Sequence, residues 1–107
     1  MGGLARLPVE GKDVLIYSNI VSQKGRKNGH VWASFDGGKT WPLMRRVDSG
    51  PFAYSSLAAG RPGTPAEGWI YLHYEAAKGS KIARFNLSWL LEGEMTGDGS
   101  VPEWVSR

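Results

Sequence analysis

The segment from Ser34 to Trp41 (SFDGGKTW) constrains the fold more than any other part of the chain. Its adjacent glycines, Gly37 and Gly38, permit the positive φ angles that a tight turn requires. The carboxylate of Asp36 is suited to accept hydrogen bonds from backbone N–H groups of the same turn, with Trp41 packed beneath it. Because a strand-like alternating segment precedes this turn and a further strand-like segment follows it, the sequence predicts a β-hairpin.

The composition is typical of a chain of many short strands. The 107 residues include 15 glycines, six prolines, five tryptophans and four tyrosines, and glycine and proline favour turns whereas aromatic residues favour strands. There is no cysteine, which excludes disulfides and thiolate metal sites. A chain of this length forms at most one small domain. The composition therefore predicts an all-β domain held together by packing.

The net charge of +3 is carried by basic residues scattered between carboxylates, so we expect no nucleic-acid partner. No apolar run approaches the roughly 20 residues of a membrane span. The start, MGGLARLPVEG, lacks the apolar core of a signal peptide. Localisation stays open, since a secreted or cell-surface parent protein would carry its signal upstream. We expect no metal and no cofactor.

Strands are predicted in a group of four and a group of three. They begin near residues 4, 14, 30 and 42, and then near 54, 69 and 81. A four-strand unit of about 45 residues is the repeat length of propeller blades. The prediction is therefore a partial propeller over residues 1–91, made of a blade at 4–48 and an incomplete blade at 54–91.

The connecting segments are predicted from their breakers. Asp48–Pro51 (DSGP) is predicted as a turn and Gly60–Gly68 as a loop. Leu87–Leu91 is predicted as a short helical turn. The last segment, 92–107, is predicted as a polar, frayed C-terminal tail.

The hairpin turn matches the Asp-box repeat, S-x-D-x-G-x-T-W, at all of its defined positions, which are Ser34, Asp36, Gly38, Thr40 and Trp41. Asp boxes occur in sialidases, in other glycosidases and in non-enzymatic propellers. The box therefore indicates a blade and a structural role for these five residues, and no particular chemistry.

Two later segments, Gly50–Ala58 (GPFAYSSLA) and Ile70–Glu75 (IYLHYE), resemble the C-terminal signature of the exo-α-sialidases, and Ile82–Leu90 (IARFNLSWL) resembles that family's closing strand. The similarity covers most of residues 4–91, although the loop at 60–68 is longer than in many relatives. It implies a six-bladed β-propeller, of which this chain supplies about one complete four-stranded blade and three strands of the next.

The resemblance also implies roles for three residues. Tyr54 matches the catalytic nucleophile. A neutral tyrosine avoids the repulsion that a carboxylate nucleophile would meet beside the carboxylate of sialic acid. Arg26 matches one of three arginines that bind this substrate carboxylate, a task that suits a planar guanidinium. Glu75 matches a glutamate that orients another of these arginines.

Three further basic residues receive no catalytic role. Arg45 and Arg46, on the strand after the Asp box, are expected to be surface charges. His73 is expected to be a wall residue.

In the family, the acid/base aspartate, the glutamate that activates the tyrosine and two of the arginines lie N-terminal to this segment. The expected function is therefore that of a C-terminal segment of a sialidase that hydrolyses terminal α-linked sialic acids from glycoconjugates, inactive alone, with sialylated glycans as partners of the full-length parent. The alternative is a non-catalytic Asp-box propeller module that binds carbohydrate or protein. Open blade edges also favour self-association, and three copies approximate a closed ring.

Overall fold

The computed structural model describes residues 3–9, 12–20, 27–51, 53–61, 63–76 and 79–102. Within these ranges the chain forms, in order, β1 (Gly3–Val9), β2 (Lys12–Ile20), β3 (Lys27–Ser34), β4 (Leu43–Pro51), β5 (Ala53–Ala59), β6 (Trp69–Ala76), β7 (Gly79–Asn86), α1 (Leu87–Leu91) and β8 (Glu94–Met95).

The strands form two antiparallel sheets, with the orders β1-β2-β3-β4-β8 and β5-β6-β7. The predicted groups of four and three strands are confirmed, and β8 adds a fifth strand beside β4. The fold is that of part of a β-propeller.

The core lies between the two sheets. In each strand alternate residues point toward the other sheet, so Val14 and Ile16 of β2 are buried, as are Ile70 and Leu72 of β6. All the buried hydrophobic residues of the described ranges belong to one cluster that both sheets share. The face of each sheet that points into this cluster is called its inner face below, and the opposite face its outer face.

The two sheets approach each other closely beside β1. A Cβ atom added to Gly3 would lie 2.9 Å from the Ser18 hydroxyl and 3.0 Å from the backbone N of Leu57 on β5. The Ser18 hydroxyl in turn accepts a hydrogen bond from the Gly3 N–H and lies 2.8 Å from the Ser55 hydroxyl. The absence of a side chain at residue 3 therefore allows the first sheet to contact the second.

The prediction of a turn at Asp48–Pro51 is wrong, because these residues continue β4. Asp48 does make a local hydrogen bond of the kind found in turns, since its Oδ1 accepts from the Gly50 N–H at 2.8 Å. Pairing with β3 keeps the segment extended, however, through register shifts around Gly29 that absorb the irregularity.

The short helix α1 is confirmed at Leu87–Leu91, capped by the Asn86 side chain, which accepts from the Trp89 N–H at 2.9 Å. This helix changes the environment predicted for Arg45. Its guanidinium lies 4.2 Å from the ring centroid of Trp89 and donates to the Trp89 carbonyl oxygen. Arg45 therefore joins β4 to α1 and is not a free surface charge, whereas Arg46 is exposed as expected.

The C-terminal segment is not frayed as far as it is described, up to residue 102. β8 pairs with the start of β4, with Met95 opposite Leu43 and Glu94 opposite Met44. The Thr96 N–H then donates to the Pro42 carbonyl oxygen at 2.9 Å. These hydrogen bonds occupy the edge of β4 that would otherwise be open.

Candidate functional site

The Asp-box turn connects β3 to β4 through a dense set of hydrogen bonds. Asp36 accepts from the Thr40 N–H at 2.9 Å with one carboxylate oxygen and from the Thr40 hydroxyl at 2.6 Å with the other. The Ser34 hydroxyl donates to Asp36 and accepts from the Gly38 N–H, both at 2.9 Å. Gly38 has a φ of +94°, and its carbonyl oxygen accepts from the Trp41 indole N–H at 3.2 Å.

These bonds stabilise the ionised form of Asp36. The Thr40 hydroxyl is the largest cause, followed by the Thr40 N–H, and together with smaller contributions they lower the pKa of Asp36 to about 2. An acidic group held as a carboxylate by its own turn is a poor proton donor, so the geometry is that of a structural brace.

Two polar residues near the C-terminal end extend this brace. Asp98 accepts from the Trp41 N–H at 2.9 Å, and the Thr96 hydroxyl donates to the Trp41 carbonyl oxygen at 2.6 Å. The sequence analysis missed this role, since the segment TGDGS has the composition of a surface loop. The available signal is Asp98, which lies between Gly97 and Gly99 and follows Thr96 by two residues.

Of the residues matched to the sialidase site, Tyr54 and Glu75 lie at the other end of the sheets. β3 runs from this end to the Asp box, and a strand of eight residues spans roughly 25 Å. Lys27, at the start of β3, pairs with Pro51 at the end of β4, and Glu75 near the end of β6 pairs with Ala53 at the start of β5. We call this end of the two sheets, where β3 and β5 begin and β4 and β6 finish, the Tyr54 end.

Tyr54 occupies a β-bulge at this end. Ala53 pairs with Glu75, and Ser55 pairs with Tyr74. Glu75 and Tyr74 are adjacent on β6, whereas Ala53 and Ser55 are separated on β5 by Tyr54, which is therefore the extra residue of the bulge. Bulges of this kind occur next to active sites, because the extra residue can be aimed independently of the ladder. The register brings the backbone of Tyr54 next to the pair that contains Glu75.

Glu75 lies on the outer face of the second sheet and is exposed. Arg26 lies outside the described residues. Its neighbour in sequence, Lys27, is the first residue of β3 and lies at the Tyr54 end. His73 is also exposed on the outer face of β6.

A hydrogen-bonded group beneath this end joins the two sheets. The hydroxyl of Tyr74, a side chain that is 5% exposed, donates to Asp48 at 2.8 Å, and the Lys81 ammonium lies 3.7 Å from the same oxygen. The Gly50 N–H and then the Tyr74 hydroxyl lower the pKa of Asp48. Burial, followed by the bond to Asp48, raises the pKa of Tyr74 to about 12.

This group distinguishes the two tyrosines of the Tyr54 end. Tyr74 is buried, and its proton is committed to Asp48, so it is unsuited to attack a substrate. It instead links β6 to β4 through Asp48, from the position that pairs with Ser55. The sequence analysis did not predict the pair, although the position of Tyr74 in an alternating strand places it on the same face as Ile70 and Leu72.

Within the described ranges, no three His, Cys, Asp or Glu residues are grouped as a metal site would require. The same ranges hold no helix with the length and apolar character to cross a membrane.

Comparison with known proteins identifies the relatives of this chain. No protein-family model matches it. A sialidase from Micromonospora viridifaciens is 40% identical over 90 residues, which cover 84% of this chain and 13% of that protein. The solved structure of a Hadza microbial sialidase superposes with a TM-score of 0.68 at 29% identity, covering 84% of this chain and 18% of that one. The chain thus spans less than one fifth of each relative's length, and it belongs to the sialidase family as a segment of its β-propeller.

Proposed function

We propose that this chain is the segment of an exo-sialidase that supplies the nucleophile, and that Tyr54 is that nucleophile. The observation that carries the proposal is the register at the Tyr54 end, where the bulge at Tyr54 adjoins the Ala53–Glu75 pair and Lys27 pairs with Pro51. The similarity to two sialidases over 84% of the chain supports it.

In the proposed reaction the Tyr54 hydroxyl gives its proton to the activating glutamate, which lies outside this segment, and its oxygen attacks the anomeric carbon of a terminal α-linked sialic acid. The bond to the aglycone breaks, and its oxygen takes a proton from an acid that this segment does not supply. Water then attacks the anomeric carbon of the sialyl–tyrosine intermediate and gives its proton to the conjugate base of that acid. The phenolic oxygen leaves, takes its proton back from the glutamate, and the configuration is retained. Arg26 binds the substrate carboxylate, and Glu75 orients another arginine of the same clamp.

The proposal includes inactivity of the isolated chain. The acid/base aspartate, the glutamate that activates the tyrosine and two arginines of the clamp have no counterpart assigned in these 107 residues. A fluorogenic sialoside incubated with the purified chain is expected to release no fluorophore. Turnover that disappears in a Tyr54→Phe variant would refute this part.

A chimera tests the role of Tyr54 itself. Replacing the aligned 90-residue segment of the Micromonospora sialidase with this chain is expected to give an active enzyme. Tyr54→Phe should then lower kcat/KM by roughly a thousandfold or more, because removal of a nucleophile eliminates the covalent step. Tyr74→Phe is the matched control and should retain most of the activity.

The same experiment addresses the alternative, a non-catalytic Asp-box module that binds carbohydrate or protein. A chimera that folds but does not cleave the sialoside would support that alternative. Equal activity in the Tyr54→Phe and parent chimeras would reject Tyr54 as the nucleophile.

A further inference from the structure

The residue that follows Tyr54 is joined to the other sheet by a hydrogen bond. The hydroxyls of Ser55 on β5 and Ser18 on β2 are 2.8 Å apart, although the two residues are 37 positions apart in the chain. Ser55 pairs with Tyr74, whose side chain is buried, so Ser55 lies on the inner face of the second sheet. A hydrogen bond between the sheets therefore ends one residue beyond the bulge.

The Ser18 hydroxyl is itself held in place by the first sheet. Its side chain is fully buried, and its oxygen accepts from the Gly3 N–H at 3.0 Å. Gly3 is the first residue of β1 and the pairing partner of Ser18, so two strands of the first sheet fix this hydroxyl. Because a hydroxyl has one proton and two lone pairs, Ser18 can bond to Gly3 and Ser55 at the same time.

The backbone of β5 also has little room to approach the first sheet at this place. A Cβ atom added to Gly3 would lie 3.0 Å from the Leu57 N and 3.0 Å from the Ser56 Cα. Close packing at Gly3 opposes a shorter distance between the sheets, and the bond from Ser18 to Ser55 opposes a longer one. Together they set the distance between the first sheet and the residues just after Tyr54.

Strand pairing alone does not place Tyr54. It is the extra residue of the bulge, between Ala53, which pairs with Glu75, and Ser55, which pairs with Tyr74. The position of such an extra residue depends on how its neighbours are held, because no residue of the partner strand faces it. The contact of Ser55 with Ser18 is therefore available to determine where Tyr54 lies.

We propose that Ser18 is a positioning residue for Tyr54, acting through the Ser55 hydroxyl to hold the start of β5 at the distance from the first sheet that nucleophilic attack requires. The inference rests on the nucleophile role proposed above for Tyr54. Ser18 acts on the backbone of β5 and needs no contact with the substrate. A displacement of about 1 Å can cost roughly a hundredfold in rate, so the loss of this one hydroxyl should affect the chemical step.

The chimera with the Micromonospora sialidase tests this role. Ser18→Ala should lower kcat by about ten- to hundredfold and change KM by less than about threefold, because the substrate still binds while the nucleophile is displaced. Ser55→Ala should have the same effect. The double variant should be no slower than the slower single variant, because both substitutions remove the same bond. Ser55→Thr keeps the hydroxyl and should retain most of kcat.

Ser34→Ala is the matched control for the loss of a buried hydroxyl. Ser34 is also fully buried, and its hydroxyl bonds to Asp36 and to the Gly38 N–H at the Asp-box end of β3. This variant should lower Tm by an amount comparable to that for Ser18→Ala, yet leave kcat and KM unchanged. A similar fall in kcat in both variants, assayed well below Tm, would show that Ser18 has only a structural role.

Tyr54→Phe in the same chimera separates this inference from the proposed function. Loss of activity in Tyr54→Phe together with a normal kcat in Ser18→Ala would reject the positioning role alone. Activity retained in Tyr54→Phe would reject the nucleophile, and the positioning role with it.

NMR spectroscopy of the 107-residue chain adds a measurement that needs no activity. Ser18→Ala should change the backbone chemical shifts of Tyr54 and Ser55, whereas Ser34→Ala should leave them as in the parent chain. Unchanged shifts at both residues in Ser18→Ala would overturn the proposal, whatever the activity of the chimera.

Discussion

At the scale of single residues, Asp36 shows how one carboxylate organises a turn. Its two oxygens accept three hydrogen bonds, from the Ser34 hydroxyl and from the N–H and hydroxyl of Thr40. These bonds hold the turn between Ser34, the last residue of β3, and Leu43, the first residue of β4. The ionisation of Asp36 is consequently linked to folding.

The pKa of Asp36 falls from 3.8 to about 2 on folding, so the ionised group stabilises the folded state above about pH 4 and this contribution is lost as the pH falls toward 2. Asp36→Asn should therefore lower Tm at neutral pH, and the difference from the parent chain should shrink toward about pH 2. Thermal unfolding of dilute protein followed by circular dichroism measures this.

Glu94→Gln removes an exposed carboxylate elsewhere on the first sheet and serves as the control. Its Tm at neutral pH should stay close to that of the parent chain, because substitutions at exposed residues change stability little. A constant difference for Asp36→Asn across the same pH range would contradict the linkage.

At the scale of elements, residues 94–98 of the C-terminal segment, called the strap below, bind to the end of the Asp box. β8 covers the edge of β4, Thr96 then donates to the backbone carbonyl oxygen of Trp41, and Asp98 accepts from the Trp41 N–H. Asp98 and Trp41 are 57 positions apart in the chain. The strap thus joins the first sheet to the segment that follows the second.

Asp98→Ala should release this strap while leaving the two sheets intact. Loss of an exposed hydrogen bond costs about 1 kcal/mol or less, so global stability should change little, whereas hydrogen exchange at the Trp41 amide should accelerate. Exchange measured by NMR or mass spectrometry checks this. Asp98→Asn retains an acceptor oxygen and should exchange more slowly than Asp98→Ala, and equal protection in all three chains would contradict a strap.

The sequence predicts the strands well because local patterns determine them. Val14–Ser18 is an apolar run of strand length, and Trp69–Glu75 carries strong strand formers. It does not predict the strap, since the partner of Asp98 is distant in the chain. It mispredicts Asp48–Pro51, because pairing with β3 overrides a local turn signal. The family resemblance gives Tyr54 a role, but the bulge depends on the register with β6, which no local pattern contains.

At the scale of the whole molecule, the two sheets share a single core and should unfold as one unit. Leu72 on β6 is fully buried in this core. Truncation of such a leucine costs about 2–5 kcal/mol, which is a large fraction of the roughly 5–15 kcal/mol of a typical domain. Leu72→Ala should therefore destabilise both sheets, although it lies in the second.

Hydrogen exchange separates cooperative from independent unfolding. In the Leu72→Ala variant, the exchange rates of the slowest amides of β2 and β3 should rise by the same factor as those of β6. Ser56→Ala, at an exposed residue of the outer face of β5, is the control and should change stability by less than about 0.5 kcal/mol. Acceleration confined to the second sheet would show that the sheets unfold separately.

The bulge at Tyr54 has an evolutionary consequence. If residue 54 were deleted, Ala53 and Ser55 would become adjacent opposite Glu75 and Tyr74, and the ladder between β5 and β6 would become regular. Strand pairing thus gives no reason to keep a residue here. Under the nucleophile role proposed above for Tyr54, descendants that lost the catalytic activity would be free to lose this residue. In comparisons of related genes, retention of this one codon would then report selection for catalysis, separately from selection for folding.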